Sequence, residues 1–125
     1  MHVVDTCGWI EWLTDSALAE NYAPYLADSA NLIVPTLVQF ELYKWCLREK
    51  DEAAALEVIG LTEVCLVRPL DTRLALSAAD LSARHKLAMA DAIVYATALA
   101  AGGQLLTSDT HFRGLPEVLY WQKKA

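Results

Sequence analysis

The chain has 125 residues, of which 55% are hydrophobic and 21% are charged, and its formal net charge is −6. This composition excludes a disordered chain, and the length suits one domain, 1–125, with a core of its own. No apolar run reaches the roughly 18–20 residues that a membrane span needs, and the N-terminus lacks the basic region and cleavage site of a signal peptide. The three cysteines match no zinc motif. We therefore expect a cytoplasmic protein.

The predicted elements alternate between strands and helices along the chain. Short apolar and β-branched runs indicate strands, which are expected at 2–4, 31–34, 63–67, 104–107 and 118–121. Helical patterns indicate helices, which are expected at 8–13, 16–28, 35–50, 51–59, 71–85 and 90–101. Such alternation implies an α/β sandwich with a mainly parallel sheet.

Capping residues set the expected helix boundaries. Ser16 and Asp51 suit N-caps, and Pro35 suits a first helical turn, which tolerates the missing N–H of proline. Gly60 is expected to stop the helix that Asp51 begins, and the glycine pair at 102–103 is expected to end the alanine-rich helix.

Four acidic residues occupy informative places on this frame. Asp5 directly follows the first strand, and Asp109 lies two residues after the fourth. Glu41 is two turns into the helix after the second strand, and Asp91 is in the first turn of the alanine-rich helix. Parallel sheets form their functional crevice at the carboxyl ends of the strands, so all four side chains can face one crevice.

Clustered carboxylates suit a divalent cation. Because Mg²⁺ takes octahedral oxygen ligands and keeps several waters, four acids can hold one or two Mg²⁺ or Mn²⁺ ions. Such an ion activates water and stabilises charge that develops on a phosphate. It also reverses the local charge of a chain that is too acidic for passive phosphate binding. The acids repel one another without a cation, so we expect divalent metal to raise the melting temperature at neutral pH.

Each acid also has a purely structural explanation. Asp109 suits a loop or a cap, Asp91 suits a helix N-terminus, and Glu41 suits a solvated helix face. Asp5 is harder to explain in this way, because it directly ends a buried strand, where an unpaired charge is costly. The conjunction of all four at one predicted edge favours a shared site.

Four motifs in order resemble the PIN domain, and within it the VapC-like ribonuclease toxins of type II toxin–antitoxin systems. They span nearly the whole chain, at 3–12, 34–41, 90–98 and 105–112. The last has the pattern Thr-x-Asp-x-x-Phe around Asp109. The resemblance implies a three-layer α/β/α sandwich with a central, mainly parallel sheet. It also implies an endoribonuclease that depends on Mg²⁺ or Mn²⁺ and hydrolyses RNA phosphodiester bonds with metal-activated water.

By the same resemblance, Asp5, Glu41, Asp91 and Asp109 form the catalytic acidic quartet. Asp5 and Asp91 would be direct metal ligands, while Glu41 and Asp109 would bind a second ion or orient water.

The resemblance extends to supporting residues and partners. Thr107 resembles the hydroxyl residue that supports the quartet, Thr6 is given a similar role, and Cys7 stands where many relatives have Ser or Thr. The implied partners are RNA as substrate, a second copy in a homodimer, and a small cognate antitoxin that inserts a segment across the active-site groove.

Two further sets of side chains bear on these partners. Arg113, four residues after Asp109, is the candidate for an RNA phosphate contact. Other basic residues fit RNA contact or solvated surface charge: Lys44, Arg48, Lys50, Arg84 and Lys86. Aromatic residues concentrated in the first 45 positions fit core packing or an antitoxin or dimer surface: Trp9, Trp12, Tyr22, Tyr25, Phe40, Tyr43 and Trp45.

Other protein classes share strand-end acids. Phosphoryl-transfer enzymes of the haloacid dehalogenase type need a second acid two residues after the first, where this chain has Cys7. Receiver-type signalling domains need a lysine that this chain does not place suitably after its final strand. The remaining alternative is a non-catalytic PIN-like module that binds RNA or protein, which the four intact acids disfavour.

Overall fold

The computed structural model describes residues 1–123, in which five strands form one central sheet. The strands are β1 (His2–Val4), β2 (Leu32–Pro35), β3 (Leu66–Arg68), β4 (Gln104–Thr107) and β5 (Val118–Tyr120). Their order across the sheet is β3-β2-β1-β4-β5, and every neighbouring pair is parallel. The predicted parallel sheet is confirmed.

Within residues 1–123, six α-helices flank the sheet. The helices are α1 (Thr6–Leu13), α2 (Ala19–Leu26), α3 (Thr36–Glu49), α4 (Glu52–Glu63), α5 (Thr72–His85) and α6 (Met89–Ala100). Short 3₁₀ turns lie at Ser29–Asn31 and Thr110–Phe112. This is the three-layer α/β/α sandwich that the resemblance implied. In this part of the chain, no helix has the length and apolar character to cross a membrane.

The core lies where the central strands meet the helices. Val3, Val4, Leu105 and Leu106 are fully buried, as expected for parallel strands covered on both faces. On α6, every residue from 92 to 98 is buried as well. This burial fixes the register of β1 against β4, and it thereby sets where the residues after their carboxyl ends lie.

The starts of α1 and α3 differ from those predicted. α1 begins at Thr6, two residues before the expected start, because the side chain of Asp5 is its N-cap and accepts the backbone N–H of Thr6 at 2.9 Å. α3 begins at Thr36 because Pro35 ends β2 in an extended conformation and is the N-cap. The prediction that Pro35 lies inside the first turn is therefore wrong by one residue.

α2 is shorter than the helix predicted at 16–28, and its N-cap is Leu18 rather than Ser16. The hydroxyl of Ser16 is instead hydrogen-bonded to the hydroxyl of Thr14. The buried carboxylate of Glu11 accepts the backbone N–H of Leu18 at 3.2 Å. A side chain of α1 thus satisfies a donor at the start of α2, which a capping pattern within one helix cannot predict.

Gly60 does not stop α4, which continues to Glu63. A glycine ends a helix by adopting a left-handed conformation; Gly102 has this conformation, with φ of 66°, whereas Gly60 does not. The prediction for Gly102 is confirmed. The strand predicted at 63–67 is the shorter β3, because Glu63 still belongs to α4 and the two residues after it form the turn that follows the helix.

Gly60→Ala should raise the free energy of unfolding by about 1 kcal/mol, because alanine has the higher helix propensity. A Cβ atom added at Gly60 meets no atom within 4 Å, so the gain carries no packing cost. Urea unfolding of both proteins measures the difference. A less stable variant would contradict the helical conformation at this position.

Candidate active site

Asp5 is a buried carboxylate at the carboxyl end of β1. The residue is 7% exposed. Its Oδ1 atom accepts the backbone N–H of Thr6, and its Oδ2 atom accepts the hydroxyl of Thr107, each at 2.9 Å. Thr107 is in reach because β4 lies beside β1 in parallel. Two hydrogen bonds from different elements therefore fix the orientation of this carboxylate.

Thr107 also links Asp5 to Asp109. Its hydroxyl donates to Asp5 and accepts the backbone N–H of Asp109 at 3.0 Å. Asp109 caps the turn Thr110–Phe112, and its Oδ1 atom accepts the backbone N–H of His111 at 2.9 Å. The buried hydroxyl of Thr107 thus contacts both the side chain of Asp5 and the backbone of Asp109, and its supporting role stays a prediction.

Glu41 reaches the same edge of the sheet through Thr6. The hydroxyl of Thr6 donates to Oε1 of Glu41 at 2.7 Å. Thr6 is the first residue of α1 and directly follows Asp5, while Glu41 lies in the second turn of α3. The bond therefore holds the α3 acid beside the end of β1.

Asp91 and Asp109 both face His111. Asp91 is in the first turn of α6. The Nδ1 atom of His111 lies 3.1 Å from Oδ1 of Asp109 and 3.6 Å from Oδ2 of Asp91. One ligand atom from each of the three residues lies within 4.8 Å of the other two. His111 was not among the site residues predicted from the sequence, and its one signal there is its place two residues after Asp109.

The electrostatics indicate that the acids interact. Burial raises the pKa of Asp5 to about 6 despite its two hydrogen bonds, and the charges of Asp91 and Glu41 add to the rise. The pKa of Asp91 is raised by burial, then by the charge of Asp109, with a smaller contribution from Glu41. The structure thus brings the four predicted acids together at the carboxyl ends of β1 and β4.

The thiol of Cys7 contacts the same network. Its Sγ atom lies 3.6 Å from Oδ2 of Asp5 and 3.5 Å from the hydroxyls of Thr107 and Ser108. Burial, followed by the charge of Asp5, raises the pKa of Cys7, so the group stays a neutral thiol. A thiol here can therefore hydrogen-bond to the site as a hydroxyl would, and Ser108 is a neighbour that the sequence analysis missed.

The donors at this edge suit a divalent cation. Carboxylate oxygens are the ligands of Mg²⁺ and Mn²⁺, and imidazole nitrogen suits transition metals. The close group of ligand atoms consists of one atom each from Asp91, Asp109 and His111. The carboxylates of Asp5 and Glu41 do not belong to this group. The raised pKa of Asp5 marks a carboxylate that water solvates poorly, and a nearby cation would compensate its charge.

Two exposed basic side chains, Arg113 and Lys44, contact aromatic rings. The guanidinium carbon of Arg113 lies 5.8 Å from the centre of the Tyr120 ring. On α3, the Nζ atom of Lys44 lies 5.9 Å from the ring centre of Phe40, which directly precedes Glu41. Both contacts leave the cation on the surface of the protein.

The aromatic residues of the first 45 positions divide into three sets by their burial. Trp9 and Tyr22 are buried, so core packing accounts for them, whereas Phe40 is 61% exposed. The others pack partly buried against the core: Trp12, Tyr25, Tyr43 and Trp45. Phe40 is therefore the member of the group whose ring is most available to a partner.

Comparison with solved structures shows a shared fold. A chain in a toxin–antitoxin complex from Klebsiella pneumoniae matches with a TM-score of 0.83 at 18% identity, covering 98% of this chain and 100% of that one. The VapC20 toxin of Mycobacterium tuberculosis, described as cleaving the sarcin–ricin loop, matches with a TM-score of 0.76 at 20% identity, covering 94% and 97%. A chain in the DNA-bound VapBC complex of Salmonella typhimurium has a TM-score of 0.75 at 15% identity, covering 97% and 96%.

Comparison by sequence gives the family. No curated protein matches the chain. The profile of the PIN domain, in contrast, matches residues 2–118, which include all four acids and the whole sheet up to the start of β5. The chain belongs to the PIN domain family.

Proposed function

We propose that this protein is a divalent-metal-dependent endoribonuclease and the toxin of a type II toxin–antitoxin system. The observation that carries the proposal is the convergence of Asp5, Glu41, Asp91 and Asp109 at one edge of a parallel sheet, with the pKa of buried Asp5 raised to about 6. Acids with perturbed pKa values at such an edge are typical of catalytic sites. Membership of the PIN family supports a nuclease.

Asp91 and Asp109 would hold a Mg²⁺ or Mn²⁺ ion, with Asp5 as a further carboxylate of the site. When bound, the cation supplies a Lewis acid for the attacking water and for the scissile phosphate. Thr107 keeps Asp5 in one orientation through a hydrogen bond of 2.9 Å. Preorganised carboxylates of this kind need no rearrangement during the reaction.

We assign Glu41 the role of proton acceptor in this reaction. Oε1 of Glu41 already accepts a hydrogen bond from the hydroxyl of Thr6. The other oxygen, Oε2, can therefore accept a proton from the attacking water. The water oxygen then bonds to phosphorus, the bond from phosphorus to the 3′ oxygen breaks, and the 3′ oxygen takes up a proton from solvent, to which Glu41 later returns the proton that it accepted. The RNA is left with a 5′ phosphate and a 3′ hydroxyl.

The proposal includes the partners of the protein. Similar chains come from a toxin–antitoxin complex and from VapBC complexes, which supports a small cognate antitoxin. We propose that the chain is a single domain, 1–125, that forms a homodimer in the cytoplasm. The exposed ring of Phe40, next to Glu41 in sequence, is available for contact with the antitoxin.

An RNA cleavage assay tests this function. Purified protein is incubated with structured RNA and Mg²⁺ or Mn²⁺, and the same mixture with EDTA is the control. We expect cleavage in the mixture with Mg²⁺ or Mn²⁺ and no cleavage when EDTA binds the divalent ion. A non-catalytic PIN-like module would bind the RNA and leave it intact at every cation concentration, and that result would reject the proposal.

Arg113→Ala should raise the KM for RNA several-fold and leave the melting temperature nearly unchanged. The reason is that this exposed arginine directly follows the turn that Asp109 caps and can contact phosphate there, and each such contact contributes to affinity. Arg73→Ala, at an exposed arginine near the start of α5, is the matched control. Equal kinetics for Arg113→Ala and the wild type would refute the assignment.

A further inference from the structure

His111 places a nitrogen donor among the acids of the site. Its Nδ1 atom is 3.1 Å from Oδ1 of Asp109 and 3.6 Å from Oδ2 of Asp91. Neighbouring ligand atoms of an octahedral ion, each about 2.1 Å from it, are about 3 Å apart. Both separations are therefore close to those of neighbouring ligands on one ion, with only small shifts of the side chains.

The backbone holds His111 in this place by two independent means. Its N–H donates to Oδ1 of Asp109 at 2.9 Å. The next residue, Phe112, is fully buried, and its ring centre lies 6.0 Å from that of Tyr95 on α6. The hydroxyl of Tyr95 in turn donates to the carbonyl of Pro116 at 2.6 Å. The helix that carries Asp91 is thus packed against the turn that carries His111.

We propose that His111 is a nitrogen ligand of the cation at this site, and that the protein therefore binds Mn²⁺ in preference to Mg²⁺. The inference rests on the proposed function, in that the site takes a divalent cation. Mg²⁺ binds through oxygen ligands and gains little from imidazole. Mn²⁺ also takes carboxylate and water oxygens, but as a softer first-row transition-metal ion it gains more from an imidazole nitrogen than Mg²⁺ does. A site made of carboxylates alone would suit Mg²⁺ and Mn²⁺ equally. The imidazole of His111 adds a ligand that favours Mn²⁺.

Calorimetric titration of the metal-free protein at pH 7.5 tests the preference, with Mn²⁺ and Mg²⁺ as separate ligands. His111→Ala should weaken Mn²⁺ binding at least about tenfold and Mg²⁺ binding much less. Thr110→Ala, at the exposed neighbour in the same turn, should change neither affinity. Because the ring of His111 is 72% exposed, the variant should keep the melting temperature of the metal-free wild type.

Pulsed electron paramagnetic resonance of bound Mn²⁺ gives a second readout, which does not depend on activity. We expect ¹⁴N coupling from a ligated imidazole in the wild type and none in His111→Ala. A wild type without ¹⁴N coupling, or a variant with the same ratio of Mn²⁺ to Mg²⁺ affinity, would overturn the inference and leave His111 as a neighbour of the two acids that does not bind the cation.

Failure of the proposed function has a different signature. A protein that shows ¹⁴N coupling but cuts no RNA would reject the nuclease and retain His111 as a ligand. A protein that cuts RNA with Mg²⁺ or Mn²⁺ but shows no ¹⁴N coupling would retain the nuclease and reject this role of His111.

Discussion

Asp91→Asn should reduce divalent-dependent RNA cleavage at least about a hundredfold without unfolding the protein. The substitution keeps the shape of the side chain in the first turn of α6 and removes the charge that would hold the cation. Asp5→Asn should have the same effect. Its amide oxygen can still accept the N–H of Thr6, so α1 keeps its cap while the site loses a carboxylate. Initial cleavage rates at saturating Mn²⁺ measure both effects.

Asp80→Asn is the matched control for these variants. Asp80 is an exposed acid on α5, and its substitution changes the net charge by the same amount. We expect it to cut RNA at the wild-type rate, and circular dichroism should show that all three variants are folded. Wild-type rates for Asp91→Asn and Asp5→Asn would mean that the acids at this edge are not catalytic.

The metal-free protein should gain stability at pH 7.5 when Asp5 is replaced by Asn. Folding raises the pKa of Asp5 from 3.8 to about 6. Because the pKa of Asp5 is higher in the folded than in the unfolded state, protonation of Asp5 stabilises the folded protein. The resulting stability is fully present below about pH 4 and is lost as the pH rises through about 6. A rise in the pKa of Asp5 from 3.8 to about 6 corresponds to about 3 kcal/mol, which is the upper limit of the gain.

Thermal unfolding between pH 4 and pH 8 in EDTA measures this effect. The melting temperature of Asp5→Asn minus that of the wild type should grow from pH 4 to pH 7. Added Mn²⁺ should then raise the melting temperature of the wild type at pH 7.5 more than that of the variant, because the cation offsets a charge that the variant lacks. If the difference in melting temperature between the two proteins is constant with pH, or if Mn²⁺ raises both melting temperatures equally, the carboxylate of Asp5 is not destabilised by burial as proposed.

The main features of the fold were predictable because they depend on local patterns. The apolar run of β1 is fully buried after His2, and its end is marked by Asp5, so the sequence places the acid at a strand end. The glycine at position 102 ends α6 in the conformation that only glycine adopts readily. Local patterns did not predict a helix boundary that depends on a side chain of another element. The start of α2 is such a boundary, because the carboxylate of Glu11 on α1 accepts the N–H of Leu18.

The site was predictable only in part. The places of the four acids follow from strand ends and helix turns, which are local properties. The hydrogen bond from Thr107 to Asp5 joins residues that β1 and β4 bring together, and the residues alone did not reveal it without the family resemblance. The approach of His111 to Asp91 depends on how the turn after β4 packs on α6, and the sequence carries no periodic signal for such packing.

A crystal of the wild type soaked in Mn²⁺ gives the most direct measurement, since anomalous scattering locates the ion without reference to activity. We expect an anomalous peak in contact with carboxylate oxygens of both Asp91 and Asp109. Mn²⁺ found only at other acids on the surface, with these two left to bind water, would contradict the account.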